Sequence, residues 1–191
     1  MTRRWPVVSL VFSLPLLCAC PQQPGQTPAP EAQAQPAAEA QPAAAAPDAA
    51  APDAVFVSER PAGAEPLLAV KQRSKVGDQV VFEARVGGRA EPFVSKRAIV
   101  TVIDPKLASC ADEEGDSCAE PWDYCCETAE ELVRQSATVR VVDGAGQPLA
   151  DTLEGRNGLA GLKTVVVQGT VVEANEAGVF VVDATGVWVA P

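Results

Sequence analysis

Four cysteines crowd into one short stretch of this chain. Cys110-Ala-Asp-Glu-Glu-Gly-Asp-Ser-Cys118 is followed by Ala-Glu-Pro-Trp-Asp-Tyr and then by the adjacent pair Cys125-Cys126. Thiols at this density support three chemistries: structural disulfides, a thiolate metal site, or thiol–disulfide exchange. In an oxidising compartment four cysteines pair by default, with three connectivities open to them. A bond between Cys125 and Cys126 would force a strained vicinal ring, so Cys110 and Cys118 are each expected to pair with one of those two. Each closure should stabilise by about 2–3 kcal/mol.

The other two chemistries are read against the same residues. A zinc or copper(I) site would use the same four sulfurs, but the spacing lacks the C-x-x-C pairs usual in structural zinc sites. From Leu107 to Val133 there are nine acidic residues and no basic one. That field opposes thiolate formation unless a bound cation reverses it. Exchange chemistry needs an acidified thiol, the opposite of what this loop supplies. Structural disulfides are therefore the expectation. Asp112, Glu113, Glu114 and Asp116 miss the regular spacing of a calcium loop and read as a solvated acidic face. Trp122, Asp123 and Tyr124 offer a contact surface for a partner, or else pack over the sulfurs.

Beyond the insert, the sequence is short of catalytic groups. There is no histidine, hence no imidazole base and no Ser–His or Cys–His pair. Gly144-Ala-Gly146 and Gly158 to Gly161 sit in turns and not before a helix, so no phosphate cradle is formed. The chain is expected to be no enzyme and to carry no cofactor.

The remaining two cysteines lie at the start. Arg3 and Arg4 precede an apolar stretch from Val7 to Leu17, too short to span a bilayer comfortably. It closes on Leu17-Cys18-Ala19-Cys20, which resembles the lipobox of bacterial lipoproteins. The resemblance implies a signal peptide over residues 1–20 and lipidation at Cys20. Cys18 does not fit that role, because Leu17 would occupy its cleavage position. Acylation there would hold the protein at the cell envelope. Pro21, standing where an inner-membrane retention signal has Asp, points to the outer membrane.

Residues 21–54 are almost wholly Pro, Ala, Gln, Glu and Asp. With no aromatic or branched aliphatic residue to bury before Val55, this segment is expected to be a disordered tether. The formal charge of −10 grows more negative once the two leader arginines leave. Phosphate neutralisation needs the opposite sign, so nucleic acid is a poor match as a partner.

Residues 55–191 must position the cysteines, and they read as one small all-β domain. Gln79–Val86 alternates, with Val80, Phe82, Ala84 and Val86 on one face. Further strands are expected at Lys96–Ile103, Ala137–Val142, Lys163–Ala174 and Val179–Ala184, the last continuing through Val187-Trp188-Val189. A bulge or bend is expected at Gly169, and a short edge strand at Leu67–Lys71. Thr128-Ala-Glu-Glu131 has the form of a capping box and predicts one helix over Glu127–Gln135. Leu149–Leu162 is turn-rich, with room for a single helical turn.

Five strands with a long, kinked fourth resemble the OB-fold, a small five-stranded Greek-key barrel; a β-sandwich is the alternative. The run Gly158-Leu-Ala-Gly-Leu-Lys-Thr-Val-Val-Val-Gln-Gly169 is similar to exported bacterial OB domains, including the periplasmic haem chaperones. Those attach haem through a histidine, which this chain lacks. The Pro-Trp-Asp-Tyr-Cys-Cys stretch also resembles that of bacterial lipoproteins without a known activity. The expected function is a membrane-anchored envelope lipoprotein with a non-catalytic binding or scaffold domain. Its partner would be another envelope protein or a glycan. The alternative is a metal-binding or thiol-redox protein using the insert.

Overall fold

The computed structural model describes residues 52–191. Cys20, the leader and the tether through residue 51 lie outside the described residues. A 3-10 turn over Pro52–Val55 opens the described part and already contributes buried Val55 to the core.

The architecture is a closed five-stranded barrel with OB-like topology. Its strands are β2 (Gln79–Val86), β3 (Ile99–Ile103), β4 (Ser136–Arg140), β5 (Thr164–Ala174) and β6 (Phe180–Val189). They follow the order β2-β3-β4-β6-β5, and β5 pairs with β2 to close the ring. Every pair is antiparallel except β4 with β6, the parallel contact that makes the connectivity a Greek key. The β-sandwich alternative is thereby set aside.

Alternation dictates which side chains fill the barrel. Val80, Phe82, Ala84 and Val86 of β2 point inward, as do Val100 and Val102 of β3 and Val139 of β4. Val165, Val167 and Val171 of β5 and Phe180 and Val182 of β6 complete the ring. Burial of each of these valines and phenylalanines contributes about 1.5–3 kcal/mol. Gly169 sits at a register shift between β5 and β6, where a bulge was expected. A Cβ there would lie 2.4 Å from the Asp183 carbonyl oxygen, so only glycine lets the strands approach this closely.

The wall is thinnest between β2 and β3, which share only the pairs Arg85–Ile103 and Val86–Val102. Lower on the same edge of β2 a two-residue strand, β1 (Glu65–Pro66), adds in parallel beside Phe82 and Glu83.

Among the described residues two helices accompany the barrel, one more than expected. Leu67–Arg73 is a helix, α1, and not an edge strand. Leu67 and Val70, three residues apart, share one face and are buried in the core. Pro66 at the N-cap supplies no capping side chain. Asp104 does so from 36 residues away, its Oδ2 accepting the Leu68 N–H at 2.6 Å. A cap from so distant a residue leaves no local sequence signal. Helix α2 (Ala129–Gln135) forms as expected, with the Thr128 side chain accepting the Glu131 N–H at 3.2 Å.

Lys71 of α1 ties these pieces together. Its ammonium donates to the carbonyl oxygens of Val133, Ser136 and Gly178, each at 2.7 Å. Burial draws that ammonium down to about 8. At the opposite end of the barrel the Leu149–Leu162 connection inserts Leu149, Leu153 and Leu159 into the core around a 3-10 turn at Arg156–Gly158.

Candidate binding cleft and cysteine cluster

The insert joining β3 to α2 leaves the barrel at Asp104, at the end that holds α1 and α2. It then reaches the opposite end, where the Gly88 N–H donates to the Trp122 carbonyl at 2.8 Å. The Trp122 indole Nε1 donates to the Ala90 carbonyl at 3.0 Å. A Cβ on Gly87 would meet the Trp122 carbonyl oxygen at 2.7 Å and the Tyr124 ring at 2.9 Å, so the Gly87-Gly88 pair ending β2 is also the docking seat of the insert.

A second anchor lies lower on the wall. Arg85 Nη1 pairs with Asp112 Oδ2 at 2.6 Å. That same oxygen accepts the Ser109 N–H at 2.9 Å and its hydroxyl at 2.8 Å. The Arg85 guanidinium and the Ser109 groups hold the Asp112 carboxyl at about 2. The acidic loop therefore is not wholly solvated: one of its carboxylates is a structural ligand for a barrel arginine.

The four insert cysteines converge. Cys110 is buried, Cys118 half-buried, and Cys125 and Cys126 exposed. The Cys125 sulfur lies 3.5 Å from that of Cys110 and 3.6 Å from that of Cys118. These three sulfurs all fall within 4.8 Å of one another, and Cys126, Cys110 and Asp116 do likewise. Asp116 joins both halves: its Oδ1 accepts the Cys118 N–H at 2.6 Å, and its Oδ2 stands 3.8 Å from the Cys126 sulfur. Sequence spacing alone did not show that Cys125 would sit between two sulfurs at nearly equal distance.

Local geometry explains the convergence. Cys110 opens a 3-10 turn through Asp112, and Pro121–Asp123 forms another. Tyr124 then takes a left-handed conformation, φ 60°, which turns the chain and delivers Cys125 and Cys126 to the cluster. Burial works to raise the Cys110 thiol, but its hydrogen bond with Cys125 and the backbone N–H groups of Cys126 and Cys125 bring it below its ordinary value. Donation toward Cys110 and Cys118 pushes the Cys125 thiol up to about 12.

Of the three residues read as a contact surface or as packing over the sulfurs, Tyr124 is fully buried, at 0% exposure. Its hydroxyl has no hydrogen-bond partner among the described residues, and burial pushes it up to about 12. Trp122 and Asp123 are half-buried.

Trp122 lines a cleft of about 760 Å³ between the β2–β3 loop and the β4–β5 connection. Phe93 and Lys96 stand on the first side and Asp151 and Glu154 on the other, while Gly161 packs against the indole at 3.0 Å from an idealised Cβ. Glu91 adds a third carboxylate. No reading of the sequence pointed to this cleft, because its walls come from three loops that only the barrel brings together.

No family model, no curated protein and no solved structure matches this chain. Its function must be read from its own geometry. No helix among the described residues is long and apolar enough to cross a membrane.

Proposed function

We infer that this protein is an envelope lipoprotein, held by acylated Cys20, whose barrel is a non-catalytic binding module. The observation that carries the reading is the cleft. Two aromatic side chains, Trp122 and Phe93, one lysine and three carboxylates, of which Asp151 is already paired with Arg156, line a space of small-ligand size. Carboxylates accept hydroxyl or ammonium protons, and aromatic surfaces take apolar faces. The matching ligand is hydroxyl-rich and neutral or cationic, which favours a glycan over a phosphate-bearing polymer.

The test uses the full-length protein, detergent-extracted from the membrane. Neutral chito-oligosaccharides should bind, a sulfated polyanion of similar length should not, and Phe93→Ala with Asp151→Ala should lose at least tenfold in affinity. Binding of neither probe, or equal binding by the double variant, would remove the cleft as the site. Radiolabelled palmitate should enter the wild type and not Cys20→Ser; label in both would overturn the anchor.

A further inference from the structure

We propose that Cys110, Cys118, Cys125 and Cys126 form a tetrathiolate site for one thiophilic d10 cation, zinc(II) or copper(I). The site is separate from the cleft, and nothing in the glycan reading requires it. Soft sulfur donors select these ions over calcium or magnesium.

Geometry carries the argument. Four sulfurs at about 2.3 Å from a tetrahedral zinc stand about 3.8 Å apart, and those of a disulfide about 2.05 Å apart. The Cys125 sulfur is 3.5 Å from Cys110 and 3.6 Å from Cys118. Cys125 therefore favours neither partner, as a disulfide half would, and instead sits at a shared corner. Three sulfurs within 4.8 Å of one another form one face, and Cys126, held near Cys110 and Asp116, stands beside it.

The surroundings suit an ion arriving from outside. Cys110 forms the buried floor, while Cys125 and Cys126 are exposed and leave an entry path. The turn bearing Cys110 is fixed to the barrel through Asp112 and Arg85, and the Cys118 backbone is fixed by Asp116. Outer contacts of this kind set ligand direction. The adjacent Cys125 and Cys126, a strained couple for a mutual disulfide, are compatible ligands for a single ion because each bonds the metal and not the other.

Binding zinc breaks four S–H bonds and forms four Zn–S bonds. Four protons leave to solvent, and no electron changes hands. The product carries two negative charges.

The test is elemental analysis and thiol counting on the full chain purified from the envelope without a histidine tag. One zinc or copper ion per chain is expected, with the four insert thiols alkylated after denaturation in chelator and few of them before. Cobalt(II) in place of zinc should give near-ultraviolet sulfur-to-cobalt absorption and the visible bands of tetrahedral coordination. Cys118→Ser and Cys126→Ser should each lose the ion to a chelator that the wild type withstands. Chelator competition on the wild type keeps the question open to answer should either variant fail to fold.

Three results would overturn the assignment: a mass four hydrogens light with no alkylatable thiol, a metal-free chain with four free thiols, or retention of the ion in Cys126→Ser with loss in Asp116→Ala. Glycan binding is measured separately, so failure of either proposal leaves the other standing.

Discussion

The Gly88 N–H donates to the Trp122 carbonyl at 2.8 Å, so the same hydrogen bond holds both the rim of the cleft and the last turn before Cys125-Cys126 against the end of β2, beside the bond from the Trp122 indole to Ala90. The neighbouring Gly87 makes that contact sterically feasible, since its missing Cβ leaves room for the Trp122 carbonyl and the Tyr124 ring.

Gly87→Ala should therefore lift the insert off the wall. The added methyl would stand 2.7 Å from backbone, which cannot rotate away. A loss of about 2–3 kcal/mol in urea unfolding is expected, with a change in tryptophan fluorescence. An unchanged midpoint would show that the insert does not depend on this seat.

Arg85 and Asp112 should give the stability a specific acid limb. Asp112 titrates near 2 in the folded protein against 3.8 ordinarily. The folded state binds fewer protons between those values, so the stabilisation is complete above about pH 4 and is lost as pH falls through 2. With the Asp112 side chain 45% exposed, solvent screening holds the contribution to under about 1 kcal/mol. The difference in unfolding midpoint between the wild type and Arg85→Gln should shrink over that window; a constant difference would refute the coupling.

Asp104 should matter more than its position at a strand end suggests. It is 0% exposed, caps α1 through Leu68, and accepts the Lys106 N–H at 2.9 Å. Asp104→Ala leaves both donors unmet and should cost about 2–3 kcal/mol, with faster hydrogen exchange at the Leu68 amide. Wild-type exchange at that amide would rule out the cap.

Tyr124 predicts an asymmetry between two substitutions. Its buried hydroxyl has no partner among the described residues, so Tyr124→Phe should leave stability unchanged or raise it by up to about 1 kcal/mol. Tyr124→Ala should cost about 3–5 kcal/mol by emptying the space beneath the insert. A large loss in the phenylalanine variant would mean that the hydroxyl is bonded after all.

The barrel was legible in the sequence because its signal is local. Val80, Phe82, Ala84 and Val86 announce β2 by alternation, Gly169 announces its bulge, and Thr128 with Glu131 announces α2. Helix α1 was not legible, since its cap is supplied by Asp104 and its polar contacts by Lys71 reaching three distant carbonyls. The cleft was hidden for the same reason. The four cysteines were visible as a group, but nothing in their spacing showed that two short turns and a left-handed Tyr124 would bring three sulfurs onto one face. For Tyr124 the sequence left two readings open, a contact surface or packing over the sulfurs, because a tyrosine among acidic residues carries no mark of burial.

The closing seam of the barrel sets an order of events during synthesis. Gln79 pairs with Thr170, so β2 leaves the ribosome long before the strand that completes it. Contacts this far apart in sequence form slowly. The cysteines between them emerge in that interval, onto a chain with no closed wall and no seat yet formed at Gly87. During that delay they meet whatever oxidant or ion the compartment offers first. Speed of capture, set by the chemistry of the compartment, thus competes with the native arrangement for the fate of the sulfurs.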